Sequence, residues 1–196
     1  MTSILRAHTT SPPESGVPID ADHGASDDRR ADAELEQLYD EHYVRLVRLS
    51  VLLLGDVGRA EEVVQDSFVA VYRRLRRDGE VLTNAPAYLR QTVVNRSRSV
   101  LRHLKVVSRH PDYAPTASPG ADDELLHGVR RRLVIDALAR LPRRQREVLV
   151  LRHYLDLSER EIAETLRISP GAVKSHASRG AAALRRNLSQ LLEENA

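Results

Sequence analysis

The amino-acid sequence predicts an all-α protein: two small helical domains joined by a flexible linker, the second with a helix-turn-helix. Three observations predict this. Apolar residues recur every three or four positions from about residue 33 onward, and nowhere alternate with the period of two that a half-buried strand needs. The apolar stock is Leu, Val and Ala, with six Tyr, one Phe and no Trp, which suits helices better than a β-sandwich. The helical pattern fails once, over residues 105–124, where Pro111, Pro115 and Pro119 stand among a glycine and several acids.

Taken in order, residues 1–32 combine proline with much Ser, Asp and Gly and show no helical period, so a disordered acidic leader is expected there. A first domain follows over 33–104. Leu35, Leu38, Tyr39, His42, Leu46, Leu49 and Leu53 form one stripe, stopped at Gly55. Ala60, Val63, Val64, Ser67, Phe68, Val71, Tyr72 and Leu75 form the second, ending near Asp78-Gly79. After a short loop, Pro86 opens a third helix, with Leu89, Val93, Ser97, Val100, Leu101 and Leu104 on one face. The linker over 105–124 is acidic as well as proline-rich. The second domain, 125–194, begins with Leu125, Val129, Leu133, Ala137, Leu138 and Leu141 and is interrupted by Pro142. Ser158 and Glu161 have capping-box spacing ahead of one helix, and Ser169-Pro170 reads as N-cap and first position of the next.

Composition excludes several classes. No cysteine means no disulfide framework and no thiol chemistry, which fits a cytoplasmic protein. The longest apolar run, Val51 to Leu54, is too short for a bilayer, and the N-terminus lacks the pattern of a signal peptide, so no membrane insertion is expected. Charge is unevenly spread. Residues 1–41 carry −7 and 111–127 carry −4, whereas 90–110 carry +6 and 166–186 carry +5, the last two without any acid. Two basic blocks separated by acidic segments suggest two contacts with a polyanion.

The strongest local signal is 158–186. Two capped helices joined by a tight turn fit helix-turn-helix geometry, with Ile162, Ala163 and Leu166 packing on Val173 and Ala177. The second helix then turns Lys174, Ser175, His176, Ser178 and Arg179 outward. Lys and Arg can reach phosphates or guanine edges, and Ser and His can donate to either. A solvated basic face on an ordinary helical hairpin is the plainer reading. In the other block Arg90, Arg96, Arg98, Arg102 and Lys105 lie off the apolar stripe, near Asn95 and Tyr88. Asn can bond a base edge and Tyr can stack on an unpaired base. The helix at 60–77 is acidic at its start and basic at its end, which its dipole alone would favour. Glu62, Gln65 and Asp66 nevertheless share one face opposite Phe68, and an acidic patch on a DNA-binding chain suits a protein partner.

Together "AEEVVQDSFVAVYRRL", "APAYLRQTVVNRSRSVLRH" and "LPRRQREVLVLRHYLDLSEREIAETLRISPGAVKSHASRGAAALRR" resemble a bacterial RNA polymerase sigma factor of the extracytoplasmic-function (ECF) type, over about residues 33–190. The resemblance makes 33–104 sigma domain 2, which binds core polymerase and the −10 element, and 125–194 sigma domain 4, which binds the −35 element. It implies that Glu62, Gln65 and Asp66 meet the polymerase β′ coiled coil, with the β flap as a further core contact. Asn95, with Asn84, Tyr88, Arg90, Arg96, Arg98 and Arg102, would serve the −10 element. The loop 79–84 matches a segment that captures a flipped −10 base, and Tyr88 stands where the family often has Trp. Lys174, Ser175, His176, Ser178 and Arg179 would read the −35 element, supported by Arg152, Ser158 and Glu159. The family also leads one to expect an anti-sigma partner, and it needs no cofactor, metal or catalytic residue. Counted from Lys105 to His127, where the helical pattern is broken, a tether of about 23 residues spans at most ~75–83 Å, enough for sites ~35–70 Å apart.

Two other readings stay open on the residues alone. A stand-alone helix-turn-helix regulator explains 125–190 but leaves the first domain idle. An enzyme finds no support in the motifs: the histidines lack H-E-x-x-H spacing, and neither a P-loop nor G-x-S-x-G occurs.

Overall fold

The computed structural model describes residues 21–78, 84–107 and 125–195, and every regular element among them is an α-helix. These are α1 (Ala21–Leu54), α2 (Val57–Asp78), α3 (Ala85–Val107), α4 (Leu125–Ala139), α5 (Arg143–His153), α6 (Glu159–Leu166) and α7 (Pro170–Glu194). Residues 1–20, the tip of the loop at 79–83 and most of the linker, 108–124, lie outside the described residues.

The first domain is α1 to α3, each packed on the other two. The expected stripes supply its core: Leu38, Leu46, Leu49 and Leu53 from α1, Val63, Val64, Phe68, Val71 and Leu75 from α2, and Leu89, Val93 and Val94 from α3. Tyr39 departs from its stripe. It is exposed and stacks on Tyr43 at 4.5 Å beside Phe68, so the aromatic group caps the core instead of filling it. Three buried serines are satisfied locally or by each other: Ser67 and Ser97 donate to the carbonyls of Val63 and Val93, and Ser50 Oγ lies 3.3 Å from Ser97 Oγ.

Helix ends follow the sequence closely. Gly55, at φ +79°, takes the left-handed conformation that stops α1, and its N–H bonds Val51 O at 2.7 Å. Asp56 then accepts from Arg59 N–H as α2 begins. The start of α1 corrects the expected leader boundary, since the helix already includes residues 21–32. That stretch carries no broad apolar stripe, but Ala31 is buried and Asp32 accepts from the Tyr72 hydroxyl at 2.7 Å, which ties it to α2. The same bond raises the Tyr72 pKa above the ordinary phenol value. Likewise α3 continues to Val107, past the expected end at 104.

In the second domain α7 packs on α4, α5 and α6. Pro142 separates α4 from α5, and its carbonyl accepts from Gln145 and Arg146. Ser158 and Glu161 form the full capping box of α6. The turn that follows runs through Arg167 in the left-handed region, with Ile168 N–H bonded to Ala163 O. Ser169 caps α7 through Ala172 N–H, with Pro170 at the first helical position. The two domains also touch: α1 packs on α4 and α5, and α3 on α6.

Candidate nucleic-acid interface

The α6–α7 unit meets the geometric requirement for a recognition helix. Ile162, Ala163 and Leu166 are buried with Val173 and Ala177, so the two helices cross closely on small and branched side chains. Gly180 extends this packing. A Cβ there would stand 3.1 Å from both Gln145 Cβ and Leu149 Cδ1, so α7 approaches α5 as closely as it does because residue 180 has no side chain. With that face committed, Lys174, Ser178 and Arg179 are exposed and Ser175 is half-buried. The start of α7, the positive end of its dipole, lies on the same end of the helix and favours an anion.

Neighbouring groups hold this surface in place. Arg152 donates to Glu159 at 3.0 Å, and the other Glu159 oxygen lies 3.7 Å from Lys174 Nζ. Arg152, Glu159 and Lys174 are thereby brought together. Arg179 donates back to the Ser175 carbonyl and hydroxyl, one turn earlier. Ser158 is engaged elsewhere: its hydroxyl donates to Glu161 at 2.7 Å and accepts from Glu161 N–H, so it acts first as a helix cap. His176 is turned partly inward, with a buried Nδ1 that has no hydrogen-bond partner.

The basic side of α3 is more occupied. Arg96 pairs with Asp66 at 3.0 Å, so a residue expected to face polymerase and one expected to face DNA meet each other. Arg98 donates one bond to Asn95 Oδ1 and two to Glu147 of α5. Tyr88 lies under the Arg74 guanidinium, 5.2 Å from ring centroid to the cation. Arg90 is half-buried; desolvation lowers its pKa below the ordinary arginine value, and Glu161 partly offsets that. Asn84 is exposed and caps α3 by accepting from Ala87 N–H at 2.9 Å. Arg102 is exposed and bonds Ser99. An open cleft lined by Asn95, Arg98, Ser99, Arg102 and Arg143 runs along this side. On α2, Glu62, Gln65 and Asp66 are exposed together, opposite buried Val63, Val64 and Phe68.

Sequence reasoning missed Glu147, Arg146 and Arg45, which bond between the domains. One signal for Glu147 existed: a lone carboxylate among Arg143, Arg144 and Arg146 that leads straight into the apolar run Val148–Leu151. Among the described residues no group of His, Cys, Asp or Glu could hold a metal, and no helix is long and apolar enough to cross a membrane.

Residues 38–106 match the family model of sigma-70 region 2, and residues 131–184 match that of sigma-70 region 4. Over 163 residues the chain is 33% identical to the ECF RNA polymerase sigma factor SigL of Mycobacterium tuberculosis, covering 81% of this chain and 91% of the relative. The chain belongs to the ECF-type RNA polymerase sigma factors. It is also 35% identical over 159 residues to the RNA polymerase sigma-E factor of Streptomyces avermitilis, covering 78% of this chain and 87% of that one. Two solved structures share the fold. The sigma factor RpoE of Bartonella quintana, in complex with the anti-sigma factor NepR, superposes with a TM-score of 0.66 at 21% identity, covering 80% of this chain and 97% of that chain. CnrH, in complex with the cytosolic domain of CnrY, does so with a TM-score of 0.59 at 24% identity, covering 88% and 96%. As a sigma factor the protein serves RNA polymerase in promoter recognition and transcription initiation, and it is not an enzyme.

Proposed function

We propose that this ECF sigma factor divides its tasks among three helix faces. Glu62, Gln65 and Asp66 of α2 dock on the β′ coiled coil of core polymerase. The α3 side bearing Asn95, Arg96, Arg98 and Arg102, with Tyr88 and Asn84 at its start, engages the −10 element. The first half of α7 reads the −35 element through Lys174, Ser175, Ser178 and Arg179, with Arg152 and Glu159 orienting Lys174. The single observation that carries this reading is the exposed basic and hydroxyl-bearing side of α7, backed by the buried face of Val173, Ala177 and Gly180. Strand opening then draws on the energy of capturing unpaired bases, which offsets a few kcal/mol of unstacking.

His176 and Arg90 take a lesser part in this scheme than their positions in the sequence suggested, because the His176 Nδ1 and the Arg90 Nε are buried away from solvent. The protein acts in the cytoplasm, where core polymerase and promoter DNA are found. An anti-sigma factor is the regulatory partner expected of it; the sigma factor RpoE of Bartonella quintana is in complex with one, NepR.

Run-off transcription from a genomic promoter library, with core polymerase and with the protein added or omitted, tests the reading. Discrete starts are expected only when the protein is present, and Asp66→Arg should remove them by setting a cation where polymerase meets an acid. If no starts depend on the protein while α4–α7 still binds duplex DNA, the helix-turn-helix regulator becomes the better description.

A further inference from the structure

A cation–π contact joins the basic end of α2 to the start of α3, and its arginine belongs to none of the three faces assigned above. The Arg74 guanidinium lies over the Tyr88 ring, 5.2 Å from the centroid, and Arg74 is exposed. The ring beneath it is held in place. Tyr88 is half-buried, packs against the core of the first domain, and its N–H bonds Asn84 O at 3.1 Å. Buried Leu75 and Leu89 directly follow Arg74 and Tyr88 in the chain and anchor both backbones. With the ring set between core and cation, the layer turned to solvent is the guanidinium. That group is planar, so with a ring on one side it can take a second flat group on the other, and arginine planes stack on unpaired bases as aromatic rings do.

We propose that Arg74 is a contact for the −10 strand: an unpaired base stacks on its guanidinium, which Tyr88 backs from beneath, in the order ring, cation, base. The proposal rests on the assignment of the α3 start to the −10 element. It changes the part expected of Tyr88, which supports the platform instead of meeting the base itself. The position suits this. Asn84, one turn before Tyr88, caps α3 at the end of the loop 79–84, the segment that the family resemblance assigns to a flipped base. Residues 69–77 carry four arginines and no acid. Two of these, Arg73 and Arg77, are exposed and can draw in the phosphates that flank the base.

A second arginine on the same helix provides the contrast. Arg76 lies over the Tyr72 ring, 5.7 Å from its centroid, with Nη1 3.5 Å from the Tyr72 hydroxyl. That hydroxyl donates to Asp32 of α1 at 2.7 Å, so the Tyr72 pair is closed by a carboxylate of its own domain. A carboxylate at that spot also repels a phosphate backbone. Arg74 and Arg76 carry the same charge, stand two positions apart and each lie over a tyrosine. Only the Arg74 pair sits at the α3 start, where the loop enters. Comparing the two therefore separates stacking from charge.

The test titrates the full chain, assembled with core polymerase, with a labelled single strand carrying the −10 element of a promoter mapped by run-off. The strand is used intact and with each base in turn removed to leave an abasic sugar. Arg74→Lys keeps the charge and loses the plane. It should weaken binding of the intact strand about five-fold or more, the scale of one base stacked on a side chain. Removing one particular base should weaken the wild type by a similar factor and Arg74→Lys hardly at all, because its stack is already gone. Arg76→Lys should bind every strand as the wild type does. A merely structural tie between α2 and α3 would instead lower the melting temperature of Arg74→Lys, followed by circular dichroism, and leave each base-removal penalty as in the wild type. That result, or equal weakening by Arg74→Lys and Arg76→Lys, overturns the stack while the −10 assignment of α3 stands. A wild-type holoenzyme that does not tell the −10 strand from a scrambled one overturns that assignment, and Arg74 falls with it.

Discussion

The α6–α7 unit and α3 are both basic, yet they hold their cations differently. On α7 the groups proposed to face DNA have partners within the same domain: Arg179 bonds Ser175 one turn earlier, and Lys174 leans on Glu159 of the adjacent helix. On α3 the corresponding groups are tied to other elements: Arg96 to Asp66 of α2, and Arg98 to Glu147 of the other domain. The first arrangement leaves the proposed −35 surface open to solvent. The second ties the proposed −10 surface to other parts of the chain. Two stretches of similar composition thus differ in availability, and the difference lies in what the rest of the chain places opposite them.

The strongest way to break this comparison is to remove the α7 surface as a unit. Val173 is fully buried where α6 and α7 cross. Val173→Asp puts an unpaired charge there and should destabilise the second domain by about 4 kcal/mol or more. Thermal unfolding followed by circular dichroism is expected to split, with α4–α7 melting early and α1–α3 retaining its own transition, while −35 binding is abolished. A single early transition of the whole chain would mean that the two domains are one cooperative body, and the contrast between an open and a tied surface would then be wrong.

A smaller effect sharpens the comparison at individual side chains. Lys174→Ala and Arg179→Ala should each weaken duplex binding by the second domain by ~1–3 kcal/mol if the residue reads a base, and less if it meets only phosphate. A side chain that neutralises a phosphate should, once truncated, also flatten the dependence on salt by about one ion. Titrations at several salt concentrations on promoter and scrambled duplexes separate the two: weaker binding on promoter alone marks a base reader, and equal weakening on both marks a phosphate partner. No change on either would leave the exposed side of α7 a solvated face.

How far the sequence anticipated these arrangements depends on the range of the interaction. The caps at Ser158, Glu161 and Ser169, the tight turn between the two helices, and the packing of Val173 and Ala177 were readable because each needs only residues within a few positions. The α1 start was misjudged for a related reason. Residues 21–32 have no broad apolar stripe, and their tie to Tyr72 spans 40 positions of sequence. Arg98 looked like any other basic residue off the apolar stripe, because its partner Glu147 lies 49 positions away. Arg90 too reads as an exposed cation from its position on the helix, although the folded chain half-buries it. Helical period tells which face is apolar; it does not tell which polar residues another domain will cover.

The smallest expected effect tests the most local of these features. Ser158→Ala removes the hydroxyl that accepts from Glu161 N–H and donates to the Glu161 carboxylate, and should cost ~1 kcal/mol near neutral pH, within the range of lost N-caps. The sign of its pH dependence follows from Glu161. Hydrogen bonds from the Ser158 hydroxyl and backbone N–H hold that carboxyl below its ordinary value. A depressed acid stabilises the fold above its unfolded pKa, and that contribution is lost as pH falls through the carboxylate range. The gap between wild type and Ser158→Ala, measured by denaturant unfolding, should therefore be widest near pH 7 and narrow as Glu161 takes up its proton. Part of the pH dependence should survive in the variant, because the backbone N–H at residue 158 still donates. A gap that stays constant down to about pH 3 would show that the hydroxyl acts on the helix N–H alone, and that its own bond to the Glu161 carboxylate contributes nothing to holding α6 under the recognition helix.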